Sequence, residues 1–596
     1  MLVYFILSIV TLAVVWTISF TLSNSSFVKK HKFVLSLSLG VGVFLSSIIA
    51  FIPIHLAGDA SFGSWARAVG LAIFNSMQIF TLGCEFGVVN PDGLVWTPDW
   101  IKTPYQVWLA ILFVVAPIFT FGFVLSFVRD KLAKIKYLFS LRGEVFVFSE
   151  LNERSLTLAK DVKGKNKSAV IVFTDAFKEN EEGSFELFEE ARKLKAICFR
   201  DDIVVHKFSP SWSKRKISFF TIGANETENL TQTLKLIERY RDRANTHIYV
   251  FSTNVDGEIL FSSTDKGKIK VRRINEVQSL VNRLLYERGE TIFADAKPAE
   301  NGLKRISAVV VGMGRYGTEM VKALSWYGQM DGYDLKISAF DKDPLSKDKF
   351  VMLAPELMDE RFNGVENDNT LPRYKIDIYP DTDVNTQSFV SQLRKITDAT
   401  FVFVSLGSDD DNIGVAVNLR MQFERMKIKP TIVAVVHNSA QKRALDGVKN
   451  FKGQPYDIDF VGDLESLYIH DVIIDSELEE EALRRHLKWG AEEEFWNYEY
   501  NYRSSIATAL HLKARIKCGV PGATKRTEDL TKEERETIEN LEHKRWCVYM
   551  RSEGYVYSGS NEKSSRNDLG KMHHDLVVFD DLSIEDKRKD SSVGAH

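Results

Sequence analysis

With 596 residues, 77 Lys and Arg against 80 Asp and Glu, and four cysteines, the chain is too long for one disulfide-stapled module and reads as about four domains. A formal charge of −3 leaves no global basic excess to neutralise phosphates, which excludes a general nucleic-acid binder. The charge is unevenly spread: only nine of the 157 charged side chains fall in residues 1–128, so the two parts are built for different solvents.

Residues 1–128 read as a transmembrane domain. The stretches 1–23, 33–57 and 105–128 carry no charge beyond their ends, and each is long enough as a helix to cross a hydrocarbon layer of about 30 Å. No Lys or Arg precedes the first run, as a cleaved signal peptide requires, so it reads as a span. Lys29, Lys30 and Lys32 follow the first span. Arg129, Lys131, Lys134 and Lys136 follow the last, on a basic linker helix at 129–138. Placing both clusters in the cytoplasm predicts an outside N-terminus and a large cytoplasmic C-terminal part, at the inner (plasma) membrane.

Between the second and third spans, 65–83 is apolar but carries Arg67, Asn75 and Gln78. It reads as an amphipathic helix packed on the spans, or as an interfacial or re-entrant one. It runs into Thr81, Gly83, Glu85 and Gly87, the pore candidates, because backbone carbonyls or acidic rings replace an ion's hydration in channel loops. Glu85 is singled out as an ionisable residue at membrane depth. The TVGYG filter sequence is missing.

The soluble part alternates short apolar runs with helical patterns. Strands are predicted at 144–148, 168–173, 196–199, 217–222 and 247–251. A second series follows at 306–311, 335–340, 374–379, 400–405 and 431–436. This alternation predicts doubly wound parallel sheets. The fourth strand of each series enters an acid-rich turn ending in Asn and an aliphatic residue, Asn229-Leu230 in one and Asn412-Ile413 in the other. A leucine follows seven residues after each Asn, at Leu236 and Leu419. An internal duplication over 140–295 and 300–475 explains this.

The copies diverge after their first strand. The second has an intact GxGxxG, Gly312-Met313-Gly314-Arg315-Tyr316-Gly317, whose glycines permit a tight turn, close approach to a pyrophosphate and helix–strand packing. Asp341 ends the next strand, where an acid accepts from a ribose hydroxyl. Gly312, Gly314, Arg315, Gly317 and Asp341, with Asp410 and Asn412 of the acid-rich turn, form the cofactor-binding candidates. The expected ligand is NAD, ATP or another adenine nucleotide. In the first copy the aligned residues run from Glu150 to Ser155, the glycine positions are filled, and Glu150 and Glu153 would repel a pyrophosphate. That half reads as structural or regulatory.

Membrane spans followed by tandem Rossmann-like domains with GxGxxG and a D-D-x-N turn resemble the regulator-of-K⁺-conductance (RCK) family with its Trk-type NAD-binding domains, over about residues 140–475. The resemblance implies ligand-dependent control of a membrane pore by assemblies of such domains, as a dimer or tetramer.

From about 490 the rhythm stops. A helix is predicted from Thr531, with Glu533 and Glu534 favouring its first turn. Residues His543, Trp546, Gly554, Tyr555, Tyr557, His573 or His574, Leu576, Val577, Phe579, Leu582 and Ser583 follow a pattern similar to the ryanodine-receptor (RyR) repeat domain, assigned to 490–596. Tyr555 stands where that family usually has Trp. The resemblance implies a bacterial protein of nucleotide-signalled anti-phage defence that senses a nucleotide-derived messenger.

An aromatic such as Trp546 or Tyr555 can stack on a purine, and Arg545, Lys544 or Arg551 can pair with phosphate. The ligand-sensing candidates are therefore His543, Arg545, Trp546, Gly554, Tyr555, Tyr557 and His574. The other reading makes Trp546 and Tyr555 the small domain's own core. His543 and Cys547 stand one helical turn apart, but no orienting partner is visible, so no catalytic residue is assigned. The His573-His574 pair lacks metal-ligand spacing, and no metal is expected. Cys84, Cys198, Cys518 and Cys547 read as free thiols in a reducing compartment.

The expected whole is a multi-domain membrane protein: an α-helical transmembrane part, two doubly wound α/β Rossmann-like domains and a small, mostly α RyR-like domain. Its expected partners are membrane lipid, a small nucleotide and further copies of itself, and no nucleic acid. The leading reading is a membrane effector or ligand-gated channel-like protein. The alternatives are a housekeeping K⁺ or cation channel or transport regulator and, below it, a membrane-tethered NAD-dependent oxidoreductase that lacks a visible catalytic set.

Overall fold

The computed structural model describes the chain apart from residues 23–31, 57–60, 89–97, 141–142, 177–183, 209–213, 254–260, 262–263, 366–367 and 595–596. It divides into two units, Met1–Leu141 and Arg142–His596.

Among the described residues of the first unit, three helices are long and apolar enough to cross a membrane, over Leu2–Thr21, Leu37–His55 and Asp99–Phe121. The last belongs to one 41-residue helix, Asp99–Phe139, so the basic segment 129–138 continues that helix instead of forming a separate linker. Helix Phe62–Phe80 is capped by Ser61 and buries Ala68, Ala72, Asn75, Ser76 and Ile79, while Trp65, Phe74 and Met77 stay exposed. It is a one-sided helix packed on Lys32–His55.

Several polar groups inside this unit find partners, which offsets their removal from water. Asn75 and His55 side chains meet at 2.8 Å, Trp108 Nε1 donates to Ser8 Oγ at 2.9 Å, and the Tyr105 hydroxyl donates to the Ala50 carbonyl. Thr81, Gly83, Glu85 and Gly87 are all exposed. The first two build a helix stop: Thr81 Oγ1 and Gly83 N both donate to the Gln78 carbonyl, at 3.0 and 2.9 Å.

In the second unit, β-branched and aromatic runs form two parallel sheets. The first comprises β1 (Val145–Phe148), β2 (Val170–Phe173), β3 (Ile197–Cys198), β4 (Ile217–Thr221), β5 (Thr246–Phe251) and β6 (Lys270–Ile274). The second comprises β7 (Lys297–Pro298), β8 (Lys304–Val311), β9 (Tyr333–Phe340), β10 (Tyr374–Tyr379), β11 (Phe401–Val404), β12 (Thr431–Val435) and β13 (Ile458–Val461). The spatial orders are β3-β2-β1-β4-β5-β6 and β10-β9-β8-β11-β12-β13, with β7 antiparallel on β8. Both orders are that of a doubly wound dinucleotide-type sheet.

Each sheet has more than the five strands expected, with β6 added to the first and β7 and β13 to the second. β6 carries Arg272 and Arg273, and β13 carries Asp459, so neither reads as an apolar run. The charges on β6 have a use. Arg272 pairs with Glu479 at 2.6 Å, Lys270 with Glu492 at 3.1 Å, and Arg273 with Glu499, so the sheet edge is covered by the segment entering the C-terminal helices.

The two halves also share a buried hydrogen-bond device. Asn229 accepts from Gly223 N at 2.8 Å and donates to the Phe251 carbonyl at 2.9 Å. Asn412 accepts from Leu406 N and donates to the Val435 carbonyl at 2.8 Å. Three residues before each Asn, an acid accepts a backbone N–H two residues past that carbonyl: Glu226 from Thr253 at 2.8 Å, Asp409 from His437 at 3.0 Å. The match in register is what a duplication leaves behind.

The C-terminal part is built on helices Glu477–His486, Glu499–Cys518, Lys532–Ser552 and Ile584–Gly594, with a two-stranded parallel pair, β14 (Val556–Tyr557) and β15 (Met572–His573). It shares one core with both sheets, from Phe148 through Met320 to Leu510 and Val548. Its elbow docks on the second half. Gly554 has φ +84°, and a Cβ there would lie 2.7 Å from the Leu353 carbonyl, so the contact requires glycine.

Candidate functional site

The glycine loop after β8 divides its labour. Gly312 has φ +92°, and a Cβ on it would lie 2.3 Å from the Ser405 carbonyl. A Cβ on Gly317 would lie 1.7 Å from the Gly312 carbonyl. These two build the turn. Gly314 is exposed, meets nothing within 4 Å at its Cβ position, and caps helix Arg315–Tyr327 without any side-chain hydrogen bond. The first N–H groups of that helix therefore face outward at the positive end of its dipole, the usual setting for an anion.

The first half shows the contrast. Helix Glu153–Lys165 is closed by its own residues: Asn152 Oδ1 accepts from Ser155 N at 2.9 Å, and Ser155 Oγ accepts from Asn152 N at 3.0 Å. Its N-terminus is satisfied internally.

Asp341 directly follows β9, and its carboxylate accepts N–H bonds from Met313 and, at 2.6 Å, from Asp343. It thus shapes the glycine loop. Arg315 reaches the other half, its Nη1 donating to Thr253 Oγ1 at 3.1 Å. Of the acid-rich turn, Asn412 is withdrawn from any ligand, while Asp410 is exposed. Asp410 accepts from Gln441 Nε2 at 2.8 Å, and Asn412 is buried between main-chain groups. Asn229 makes the same bonds in the half without a glycine loop, so the device belongs to the fold.

The RyR-like candidates separate into three places. His543, Trp546 and His574 gather with His573: the His543 and Trp546 rings stack at 5.9 Å, Trp546 meets His573 edge-on at 5.0 Å, and His573 stacks on His574 at 4.7 Å. Gly554 and Tyr557 lie at the elbow, where Tyr557 N donates to Glu356 Oε1 at 3.1 Å, and Tyr555 is buried with its ring 5.9 Å from that of Tyr500. Arg545 lies elsewhere than its expected phosphate-facing position. It is fully buried and bonded to Glu542. Arg551 is likewise buried on Glu356 and over the Phe362 ring at 3.7 Å, and Lys544 Nζ donates to the Asn369 carbonyl.

His573, His574 and Asp575 bring possible ligand atoms within 4.8 Å of one another. The two imidazoles are parallel to within 9°, so their in-plane lone pairs do not converge on one ion. His543 has an orienting partner that its sequence neighbourhood did not reveal: Asp590 lies 3.4 Å from Nδ1. Nε2 is 2.9 Å from the Val577 carbonyl, which can only accept, so Nε2 carries a proton and cannot take one from the Cys547 thiol 3.4 Å away. Cys547 is 2% exposed. The cluster is a structural clamp between helix Lys532–Ser552, the segment after β15, and the last helix.

Burial opposes charge on His543, but the Cys547 sulfur and the Asp590 carboxylate outweigh it and hold the imidazole well above its usual 6.5. A raised folded value adds stability that is fully present below pH 6.5 and fades as pH rises through the folded value. Chemical denaturation from pH 6 to 9 should show this alkaline loss. Asp590→Asn should weaken it, and an unchanged profile in that variant would remove Asp590 from the clamp.

The fold and the loop define a class: a chain with membrane-length helices, two doubly wound parallel sheets, and an open glycine loop in the second only. No protein-family model matches the chain, and no curated protein matches it either. Among solved structures it is similar to a crystal structure of a GsuK mutant, at 14% identity over 74% of this chain and 96% of that one, with a TM-score of 0.33. That likeness is too distant to assign a function.

Proposed function

We propose that this chain is a membrane-inserted regulator of ion permeability, controlled by an adenine nucleotide at the Gly312–Gly317 loop. The observation that carries the reading is the asymmetry between the halves: one helix N-terminus is closed by Asn152 and Ser155, while its counterpart at Gly314 is left open behind a strained glycine turn. The phosphates would sit on the open N-terminus, with Arg315 beside them. Three apolar helices of membrane length supply the insertion, with the soluble unit on the cytoplasmic side and copies assembling as a dimer or tetramer around the ion path. The RyR-like part then acts on the nucleotide site through its dock at Gly554 and Glu356. The anti-phage setting draws no support from the fold, so the housekeeping channel or transport regulator is the better-founded output.

A ligand shifts such a protein only by binding its two states unequally. The test is therefore double. Full-length protein in detergent is melted with NAD, ATP and ADP-ribose, and the same protein in liposomes is assayed for K⁺ flux with and without the ligand that stabilises it. A ligand at 100 times its Kd adds about 2.7 kcal/mol of stability. Gly314→Asp has room for its side chain but places a carboxylate where the phosphate would lie, so ligand stabilisation should fall at least about tenfold in apparent affinity. Absence of any nucleotide-dependent shift at millimolar ligand would sink the reading, as would flux indifferent to a ligand that binds.

A further inference from the structure

A cavity of about 700 Å³ lies where helix Glu276–Arg288, helix Arg315–Tyr327 and the C-terminal helices Glu499–Cys518 and Lys532–Ser552 meet. That volume falls within the roughly 300–1,000 Å³ of small-molecule sites. It is separate from the glycine loop, none of whose glycines line it.

Its walls differ in chemistry. On helix Glu276–Arg288, Gln278, Ser279 and Asn282 stand at helical spacing along one face, half-buried, and their side chains take no hydrogen bond from the described residues. Their amides and hydroxyl line the cavity and are open to a partner that enters it. Opposite them are Trp326, Tyr502 and Tyr549. Trp326 and Tyr549 are each 5% exposed, and their rings meet edge to face at 6.1 Å. One wall thus offers amides and a hydroxyl, the other an aromatic wall whose half-buried ring, Tyr502, is the one open to a ligand.

The charges set a limit on the ligand. Four arginines line the cavity, but each already has a carboxylate: Arg272 with Glu479, Arg273 with Glu499, Arg283 with Glu287 and Arg503 with Glu553. Seven carboxylates line it, among them Asp471, Asp475, Glu477 and Glu480 at its exposed rim. A polyphosphate would meet net negative charge in a medium less polar than water.

We propose that this cavity is a second ligand site and that it takes a nucleoside. The planar base stacks on the aromatic wall, its edge and sugar hydroxyls bond the amide wall, and the ligand carries no polyphosphate. All three parts of the unit contribute walls, so occupancy biases their arrangement wherever the arrangements differ in affinity.

The test is equilibrium dialysis of full-length protein in detergent with adenosine and guanosine, using ATP as competitor. Asn282→Leu removes hydrogen bonds at nearly constant volume and should weaken nucleoside binding at least about tenfold. Ser279→Trp fills the cavity and should abolish it. Binding should persist in Gly314→Asp, and ATP should compete at least about tenfold less well than the nucleosides. The proposal is overturned if neither nucleoside binds, if a cavity variant with an intact melting transition binds like the parent, if Gly314→Asp alone removes binding, or if ATP competes as well as adenosine. Should one cavity variant fail to fold, the other and the ATP competition decide. Because Gly314→Asp tests the glycine loop alone, failure of this site and failure of the nucleotide reading give different results.

Discussion

Glu542→Ala is expected to destabilise the second unit by about 3–5 kcal/mol, the usual cost of removing one partner from a buried ion pair. Glu542 sits between two guanidiniums that are themselves fully buried. Arg545 donates to it from Nη2 at 2.8 Å and from Nε at 3.2 Å, and Arg515 donates through Nη2. The network then continues to neutral groups. Arg515 Nε donates to His511 Nδ1 at 2.8 Å, and His511 Nε2 donates to the Gln329 carbonyl at 2.6 Å. His511 is neutral there, because burial and the two arginines push its ring well below its ordinary range. Without Glu542 two cations remain in the core with one distant acid, Asp590, to offset them.

The same arrangement fixes a pH dependence. Burial works against charge on Glu542, yet Arg545 and Arg515 hold its carboxyl below the usual 4.5. A depressed folded value gives stability that is present above pH 4.5 and is lost as pH falls through the folded value. Urea denaturation of full-length protein should therefore show an acid limb that Glu542→Gln removes. Arg545→Ala should behave as a stability variant, its ligand affinity unchanged once folding is restored at low temperature. A loss below about 1 kcal/mol for Glu542→Ala would mean that the triad is solvated.

That triad shows where sequence reading stopped. Arg545 lies one residue from Trp546 and so looked like part of the same surface, but one residue on a helix is a turn of about 100°. Trp546 faces the histidines, and Arg545 faces Glu542 and, across the core, Arg515. Its carboxylate, Glu542, is only three residues away, but the second cation that closes the triad, Arg515, stands on another helix, and no local pattern announces it. Asp590 is equally remote from His543. By contrast, the strands, the glycine loop and the paired asparagines were legible because each is a local pattern of apolar runs or turn residues. Edge strands β6 and β13 were missed for the opposite reason, since their charges serve contacts made only in the folded chain. The cavity wall at Gln278 and Asn282 carries no local signal in the sequence, and only the helices packed around it make it the wall of a cavity.

Gly317→Ala should disrupt the glycine loop most of all single changes in it. The added methyl would stand 1.7 Å from the Gly312 carbonyl and 3.2 Å from Ser405 Oγ. Retreat is blocked on the other side, because Gly312 already lies against the Ser405 carbonyl in a conformation closed to other residues. The helix must therefore move away from β8, drawing its own buried Met320 and Val321 out of the core. Overpacking of this kind costs about 1–3 kcal/mol. It also opens the turn that aims the first N–H groups, so nucleotide-dependent stabilisation should vanish together with part of the melting temperature. Gly314→Ala is the control: its methyl meets nothing, and stability should change by no more than about 0.5 kcal/mol. Reading three variants together separates shape from charge. Gly317→Ala loses stability and ligand, Gly314→Asp loses ligand alone, and Gly314→Ala keeps both. If Gly317→Ala melted like the parent, the loop would not hold this turn, and the open helix end on which the proposed nucleotide site rests would lose its basis.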